Sequence, residues 1–183
     1  MKEVEVRSFI SKEEYDRLLE EMERKGRKIK EDIQVTYYFS GERDLRIQKN
    51  MKFAKLWLKG GEIHDKSREE LEVKFDRDDF EKLEKLLKMM GHKIEIKWYR
   101  KRNQFDWNGF KVCIDHTPGY GRIIEIEKMC EKDEEGEVYE RALEALEKLN
   151  VEKTPKEKFD EKYEHYKNNW QEILAGKDLS QFN

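Results

Sequence analysis

Charged residues occupy alternate positions in several short segments of the chain. Side chains at alternate positions of a strand share one face, so each segment would place its charges on one side of a sheet. Carboxylates brought together without compensation repel one another, and their natural use is to hold a hard cation such as Mg²⁺ or Mn²⁺. The candidate metal ligands on such faces are Glu3, Glu5, Asp115, Glu125 and Glu127.

Basic residues fill the same kind of position in other segments. Arginine offers a forked set of donors that matches phosphate oxygens, so these segments predict the binding of an anion rich in oxygen. In a chain with 44% charged residues, any single segment of this kind is also typical of a solvated strand face. The combination of acids and bases favours a polyphosphate bridged to a metal. The basic residues are Arg7, Arg46, Lys55, Lys59, Arg68, Lys74, Arg100, Arg102 and Lys111.

The composition is that of one folded domain over residues 1–183, with 36% apolar residues and a net charge of −3. This near balance gives no general attraction to nucleic acid or to an anionic membrane, and we expect neither as a partner. The beginning of the chain carries charges where a signal peptide has an apolar run, so we expect a cytoplasmic protein. We expect the protein to be a monomer or a homodimer. Cys113 and Cys130 are expected as free thiols.

The periodicity of apolar residues predicts an α+β fold with about eight strands, mostly joined as antiparallel hairpins. Helices are expected at 12–25, 78–90, 137–149 and 154–175, and they would cover the apolar face of the sheet. If the sheet curls with the charges inside, it forms a barrel enclosing a polar tunnel. The strands are expected at 2–9, 33–39, around 45–47, 54–59, 68–75, 94–105, 110–116 and from 123 onward.

The charged segments, in their order along the chain, resemble the motifs of the CYTH superfamily, the triphosphate tunnel metalloenzymes, over about residues 2 to 150. The resemblance implies an eight-stranded antiparallel tunnel that binds a small molecule containing a triphosphate. The motifs are Glu3-x-Glu5-x-Arg7, Leu45-Arg46-Ile47, Lys59-Gly60, Arg68-x-Glu70-x-Glu72, Arg100-x-Arg102, Ile114-Asp115, and Gly119-Tyr120-Gly121 before Ile124-Glu125-Ile126-Glu127.

The resemblance also implies roles for individual residues. Glu5 and Arg7 are the expected catalytic pair, and the carboxylates named above hold Mg²⁺ or Mn²⁺. The chain departs from the family pattern at Arg7, where lysine is usual, and at Gln48, where a second base is usual. The triphosphate would bind Arg7, Arg46, Lys59, Arg68, Arg100 and Arg102, supported by Glu70, Glu72, Lys55 and Lys111.

Three functions stay open at this point. The first is a metal-dependent triphosphatase acting on inorganic tripolyphosphate, thiamine triphosphate or a nucleoside triphosphate, which needs only the residues above. A class IV adenylate cyclase would also need a purine pocket, and no residues identify one. A binding module without turnover is the third. The aromatic stripe of the last helix predicts core packing, or a position near the tunnel mouth with Lys158, Lys162 or Tyr163 close to the anion.

Overall fold

The computed structural model of the protein describes residues 2–41, 43–59 and 70–182, with the side chains of Lys59 and Glu70 left out. Arg68 lies outside the described residues. The strands are β1 (Lys2–Ile10), β2 (Arg27–Phe39), β3 (Asp44–Lys49), β4 (Ala54–Lys59), β5 (Glu70–Phe75), β6 (Ile94–Trp107), β7 (Phe110–Thr117) and β8 (Gly121–Cys130). The helices are α1 (Lys12–Lys25), α2 (Phe80–Met89), α3 (Glu135–Lys148) and α4 (Lys156–Leu174).

The eight strands form one antiparallel sheet in the order β1-β8-β7-β6-β2-β3-β4-β5. This confirms the α+β class and the eight antiparallel strands expected from the periodicity. In the described part of the chain, β1 and β5 end the order, so hydrogen bonds between these two strands do not close the sheet into a barrel. None of the helices in these residues is long and apolar enough to cross a membrane.

The chain divides into two compact units. The first contains residues 1–31 and 101–166, and the second contains residues 32–100 and 167–183. In the first unit, α1 and α3 pack their apolar sides on the sheet, where Leu18, Ala142 and Ile126 are fully buried. In the second unit, Phe80 and Leu87 of α2 pack with Ile47 of β3. Whether the whole chain acts as the single domain expected above stays a prediction.

Local sequence explains where several elements begin and end. Ser11 caps α1, because its hydroxyl accepts from the Glu14 N–H while the Glu14 carboxylate accepts from the Ser11 N–H. Asn108 and Gly109 join β6 to β7 with φ angles of 52° and 75°, the positive values that a two-residue hairpin turn requires.

Strand β2 begins at Arg27, six residues before the expected Ile33. Its first half carries few apolar residues, so periodicity alone indicated no strand there. Ion pairs to β6 link this half of the strand to the sheet, where apolar side chains are few. The Arg27 guanidinium lies 2.7 Å from the Asp106 carboxylate, and Lys101 Nζ lies 2.8 Å from Glu31.

Candidate functional site

The register of β1, β8, β7 and β6 in the first unit arranges the polar residues in rows. Partners directly opposite in antiparallel strands share a face, so each row lies on the same side of the sheet. One row holds Glu5, Glu127, Lys111 and Asp106, the next holds Arg7, Glu125, Cys113 and Gln104, and the third holds Phe9, Ile123, Asp115 and Arg102. The shared face expected from the alternating sequence is therefore present in these four strands.

Glu5 is the carboxylate with the most perturbed environment. Its partial burial, together with the nearby charge of Glu125, raises its pKa from 4.5 to about 7. Glu5 stands directly opposite Glu127, whose carboxylate is buried and forms an ion pair with Lys111. Three carboxylates thus lie on neighbouring positions of β1 and β8, and burial, followed by the charge of Glu125, brings the pKa of Glu5 close to neutral pH.

Arg102 lies between two of the predicted metal ligands. Its Nε lies 2.9 Å and 3.0 Å from the two oxygens of Asp115, and its Nη2 donates to both Asp115 and Glu125. Although burial alone would lower the pKa of the guanidinium, Glu125 and Asp115 raise it. Asp115 is only 3% exposed, so this arginine neutralises a carboxylate that water does not reach.

The residues present fit a bound cation. Ligand atoms of Cys113, Glu125 and Glu127 all lie within 4.8 Å of one another, and Glu5, outside this group, stands opposite Glu127 on the neighbouring strand. Oxygen donors of this kind suit a hard divalent cation, whereas the Cys113 sulfur is a soft donor. Of the other predicted ligands, Asp115 is held by Arg102, and Glu3 is exposed opposite Met129, beyond Glu5.

Arg7 lies at the edge of this group. Its Nε is 3.8 Å from the Glu5 carboxylate, and its Cζ lies 4.4 Å from the ring centroid of Phe159 on α4. The neighbouring Ser8 bonds to the segment before α4, with its hydroxyl 2.8 Å from that of Thr154. The last helix is thus attached to the strand that carries the predicted catalytic pair.

Two of the other predicted basic residues, Arg46 and Arg100, lie in the described part of the second unit, and each has a partner there. Arg46 forms an ion pair with Asp44 and lies 4.2 Å from the Tyr38 ring centroid. Arg100 donates to the Gln34 carbonyl oxygen at 2.7 Å and 3.0 Å.

Two of the predicted supporting residues, Lys55 and Glu72, pair with each other in the second unit. Lys55 Nζ lies 2.6 Å from Glu72, and this hydrogen bond lowers the pKa of Glu72. Gln48, which stands where the family usually has a base, donates to the Thr36 hydroxyl at 2.8 Å.

Sequence reasoning missed the polar residues of β2. Gln34 and Thr36 alternate with buried Val35 and Tyr37, and this alternation was the available signal. It was overlooked because neither residue is charged. Asp44 was missed because it lies at the start of β3, where an acid is also typical of a turn.

A family model and a relative of known sequence both match most of this chain. The CYTH domain model matches residues 1–158. A Methanocaldococcus jannaschii protein named "Putative adenylate cyclase MJ0240" is 32% identical over 163 residues, which cover 82% of this chain and 91% of that protein.

Solved structures share the fold. A Pyrococcus horikoshii protein superposes with a TM-score of 0.64 at 27% identity, covering 82% of this chain and 92% of that one. The Hippeastrum protein HpAC1, described as having a dominant triphosphatase activity, superposes with a TM-score of 0.61 at 18% identity, covering 82% of this chain and 89% of that one. At this identity the second likeness shows the fold alone.

Proposed function

The chain belongs to the CYTH domain family, and on that premise we propose that it is a divalent-metal-dependent triphosphatase. Its substrate would be inorganic tripolyphosphate, thiamine triphosphate or a nucleoside triphosphate. The observation that carries the proposal is the meeting of Glu5, Glu125 and Glu127 beside cationic side chains in the first unit. Such a group offers one side for a cation and one side for phosphate oxygens.

We assign the cation, Mg²⁺ or Mn²⁺, to Glu125 and Glu127, with Glu5 as the third carboxylate. When bound, it neutralises charge on the phosphate oxygens. Glu3 and Asp115 contribute less directly: Glu3 adds negative charge beside Glu5, and Asp115 holds Arg102. The soft sulfur of Cys113 is not required for a hard cation.

Glu5 orients the attacking water. Without a cation, partial burial and Glu125 raise its pKa to about 7; a bound cation would favour the ionised carboxylate, which can accept a hydrogen bond from that water. Phosphoryl transfer requires little covalent chemistry from protein groups. Positioning of the water is therefore the main contribution required of this carboxylate.

The basic residues of the first unit bind the phosphate oxygens. Arg7 and Lys111 have side chains that are 35% and 42% exposed, so both can reach a ligand from solution. Arg102 is 13% exposed and occupied by two carboxylates. A cation bound to Glu125 would release Arg102 Nη2 from that carboxylate, while Asp115 keeps its hydrogen bonds to Nε and Nη2, so a phosphate oxygen could take the place of Glu125. Contacts of the triphosphate with Arg46, Lys59, Arg68 and Arg100 rest on the motif resemblance and stay a prediction.

A second candidate is a class IV adenylate cyclase, favoured by the name of the 32% identical relative. The same carboxylates and bases would hold ATP, but the ribose 3′-hydroxyl would attack and pyrophosphate would leave. Hydrolysis needs no group to recognise the purine, which is why we place it first.

The two functions differ in their products. Purified protein is incubated with Mg²⁺ or Mn²⁺ and separately with tripolyphosphate, thiamine triphosphate or ATP, and orthophosphate, pyrophosphate and cyclic AMP are each quantified. Orthophosphate release from any of these compounds supports the triphosphatase. Cyclic AMP with equimolar pyrophosphate from ATP overturns it in favour of the cyclase. Tight binding of tripolyphosphate without any turnover indicates a binding module.

A further inference from the structure

We propose that Phe159 on α4 is a positioning residue that holds the guanidinium of Arg7 in the orientation needed to bind a phosphate. The proposal rests on the proposed function, because it takes Arg7 as a triphosphate-binding residue. The Arg7 Cζ lies 4.4 Å from the Phe159 ring centroid, well inside the roughly 6 Å over which a cation is attracted to an aromatic face. Phe159 lies just beyond the residues that match the family, so that match assigns it no role.

The Phe159 ring is fixed in place by its neighbours. It stacks on Phe9 with centroids 4.3 Å apart and planes 23° from parallel, and only 2% of the residue is exposed. Lys162, one turn further along α4, places its Nζ 4.3 Å from the centroid of the Phe9 ring. An aromatic ring held on several sides has little freedom to turn, so it offers Arg7 a rigid surface.

The start of α4 is tied to β1 beside this ring. The Phe9 N–H donates to the Thr154 hydroxyl at 3.0 Å, and the Thr154 N–H donates to the Ser8 hydroxyl at 3.1 Å. Ser8 is fully buried, so these bonds form away from water and hold the two segments in one register. The position of Phe159 relative to Arg7 is therefore set by hydrogen bonds as well as by packing.

Stacking has a consequence that is particular to arginine. A guanidinium is flat, and its five N–H donors lie in its plane, so contact through one face leaves the donors directed outward along the edge. The Arg7 side chain keeps 35% of its surface exposed, which leaves that edge accessible to an anion. A lysine at this position would present a compact charge without a preferred plane. The benefit of Phe159 should therefore depend on the presence of arginine.

The test measures binding of a non-hydrolysable imido analogue of tripolyphosphate in the presence of Mg²⁺ by calorimetric titration. Phe159→Leu keeps an apolar side chain but removes the ring face, and we expect it to weaken binding about 5- to 20-fold. Phe159→Tyr keeps the face and should stay within about 2-fold of the wild type. The matched control is Tyr166→Leu, which removes a buried aromatic residue from the same helix, where its described ring contact is with Tyr120.

The decisive comparison repeats Phe159→Leu in an Arg7→Lys background. The proposal predicts that the loss shrinks to less than about 2-fold there, because no guanidinium remains to be oriented. An equal loss in both backgrounds, or a loss as large in Tyr166→Leu, assigns Phe159 to core packing and overturns the proposal. Wild-type affinity in Phe159→Leu overturns it as well. If the wild type does not bind the analogue, the proposed function and the role of Arg7 in ligand binding are both contradicted. This outcome differs from the three above, in which the wild type binds and only the role of Phe159 is overturned.

Discussion

Glu5 on β1 stands directly opposite Glu127 on β8, so two carboxylates face each other across neighbouring strands. Like charges in this position destabilise a sheet. The protein lessens the cost in two ways: Lys111 pairs with Glu127, and the raised pKa of Glu5 lets that group carry a proton near neutral pH. A bound divalent cation would neutralise both carboxylates, in place of Lys111 and of the proton on Glu5. The stability of this part of the sheet would then depend on metal binding.

The first prediction concerns the pH dependence of stability without metal. The pKa of Glu5 is raised from 4.5 to about 7 by burial and by Glu125, so the fold favours its protonated form. Its stabilising contribution is present below the unfolded pKa and is lost as the pH rises through the folded value. Chelator-treated wild type should therefore lose stability relative to Glu5→Gln between about pH 5 and pH 8 in urea unfolding.

The control for that experiment is Glu144→Gln, an exposed acid on α3 with a side chain 63% exposed. Its stability should follow the wild type at every pH. Parallel stability curves for the wild type and Glu5→Gln across this range would contradict the shifted titration of Glu5.

A second prediction concerns competition between Mg²⁺ and protons. Because a cation favours the ionised carboxylate, the increase in melting temperature on adding Mg²⁺ should grow with pH in the wild type. Glu5→Gln should show a smaller increase with little pH dependence. The measurement is differential scanning fluorimetry at several pH values, with and without Mg²⁺. An increase that is independent of pH in the wild type counts against Glu5 as a metal ligand.

A third prediction concerns Arg102, which neutralises both Asp115 and Glu125. Arg102→Ala leaves a carboxylate that is 3% exposed without its cation, and we expect a loss of about 3–5 kcal/mol in the free energy of unfolding. Arg102→Ala combined with Asp115→Ala should be less destabilised than Arg102→Ala alone, because the buried charge is removed. Urea unfolding measures both variants, and a single-variant loss below about 1 kcal/mol is the contrary result.

A fourth prediction concerns the attachment of α4 to β1. Thr154→Val preserves the shape of the side chain but removes the acceptor of the Phe9 N–H, and it should cost about 1–3 kcal/mol in unfolding free energy. Thr154→Ser keeps the hydroxyl and should retain most of the stability. Wild-type stability in Thr154→Val, or a loss in Thr154→Ser as large as that in Thr154→Val, would contradict the role of these hydrogen bonds.

Periodicity predicted much of this fold because the relevant interactions are local. The capping box of Ser11 and Glu14, and the positive φ angles at Asn108 and Gly109, depend on neighbours in sequence. The start of β2 at Arg27 was not predictable, since it depends on an ion pair to Asp106, far along the chain.

The same distinction separates the predictable and unpredictable parts of the candidate site. Alternation places Glu3 and Glu5 on one face of β1, and Glu125 and Glu127 on one face of β8, whatever the fold around them. It does not specify which base neutralises which acid, because that depends on strand order and register. The pairing of Arg102 with Asp115 and the position of Phe159 over Arg7 therefore emerged only from the structure.

The most direct test of the account is steady-state hydrolysis of tripolyphosphate as a function of Mg²⁺ concentration in the wild type, Glu127→Gln and Glu144→Gln. Wild type and Glu144→Gln should release orthophosphate at the same rate and with the same Mg²⁺ dependence. Glu127→Gln should lose about 100-fold or more in kcat/KM, partly restored at high Mg²⁺, because a ligand of the cation has been removed. Hydrolysis that is independent of Mg²⁺ or Mn²⁺, or undiminished in Glu127→Gln, would contradict the assignment of the β1 and β8 carboxylates as the metal site of a triphosphatase.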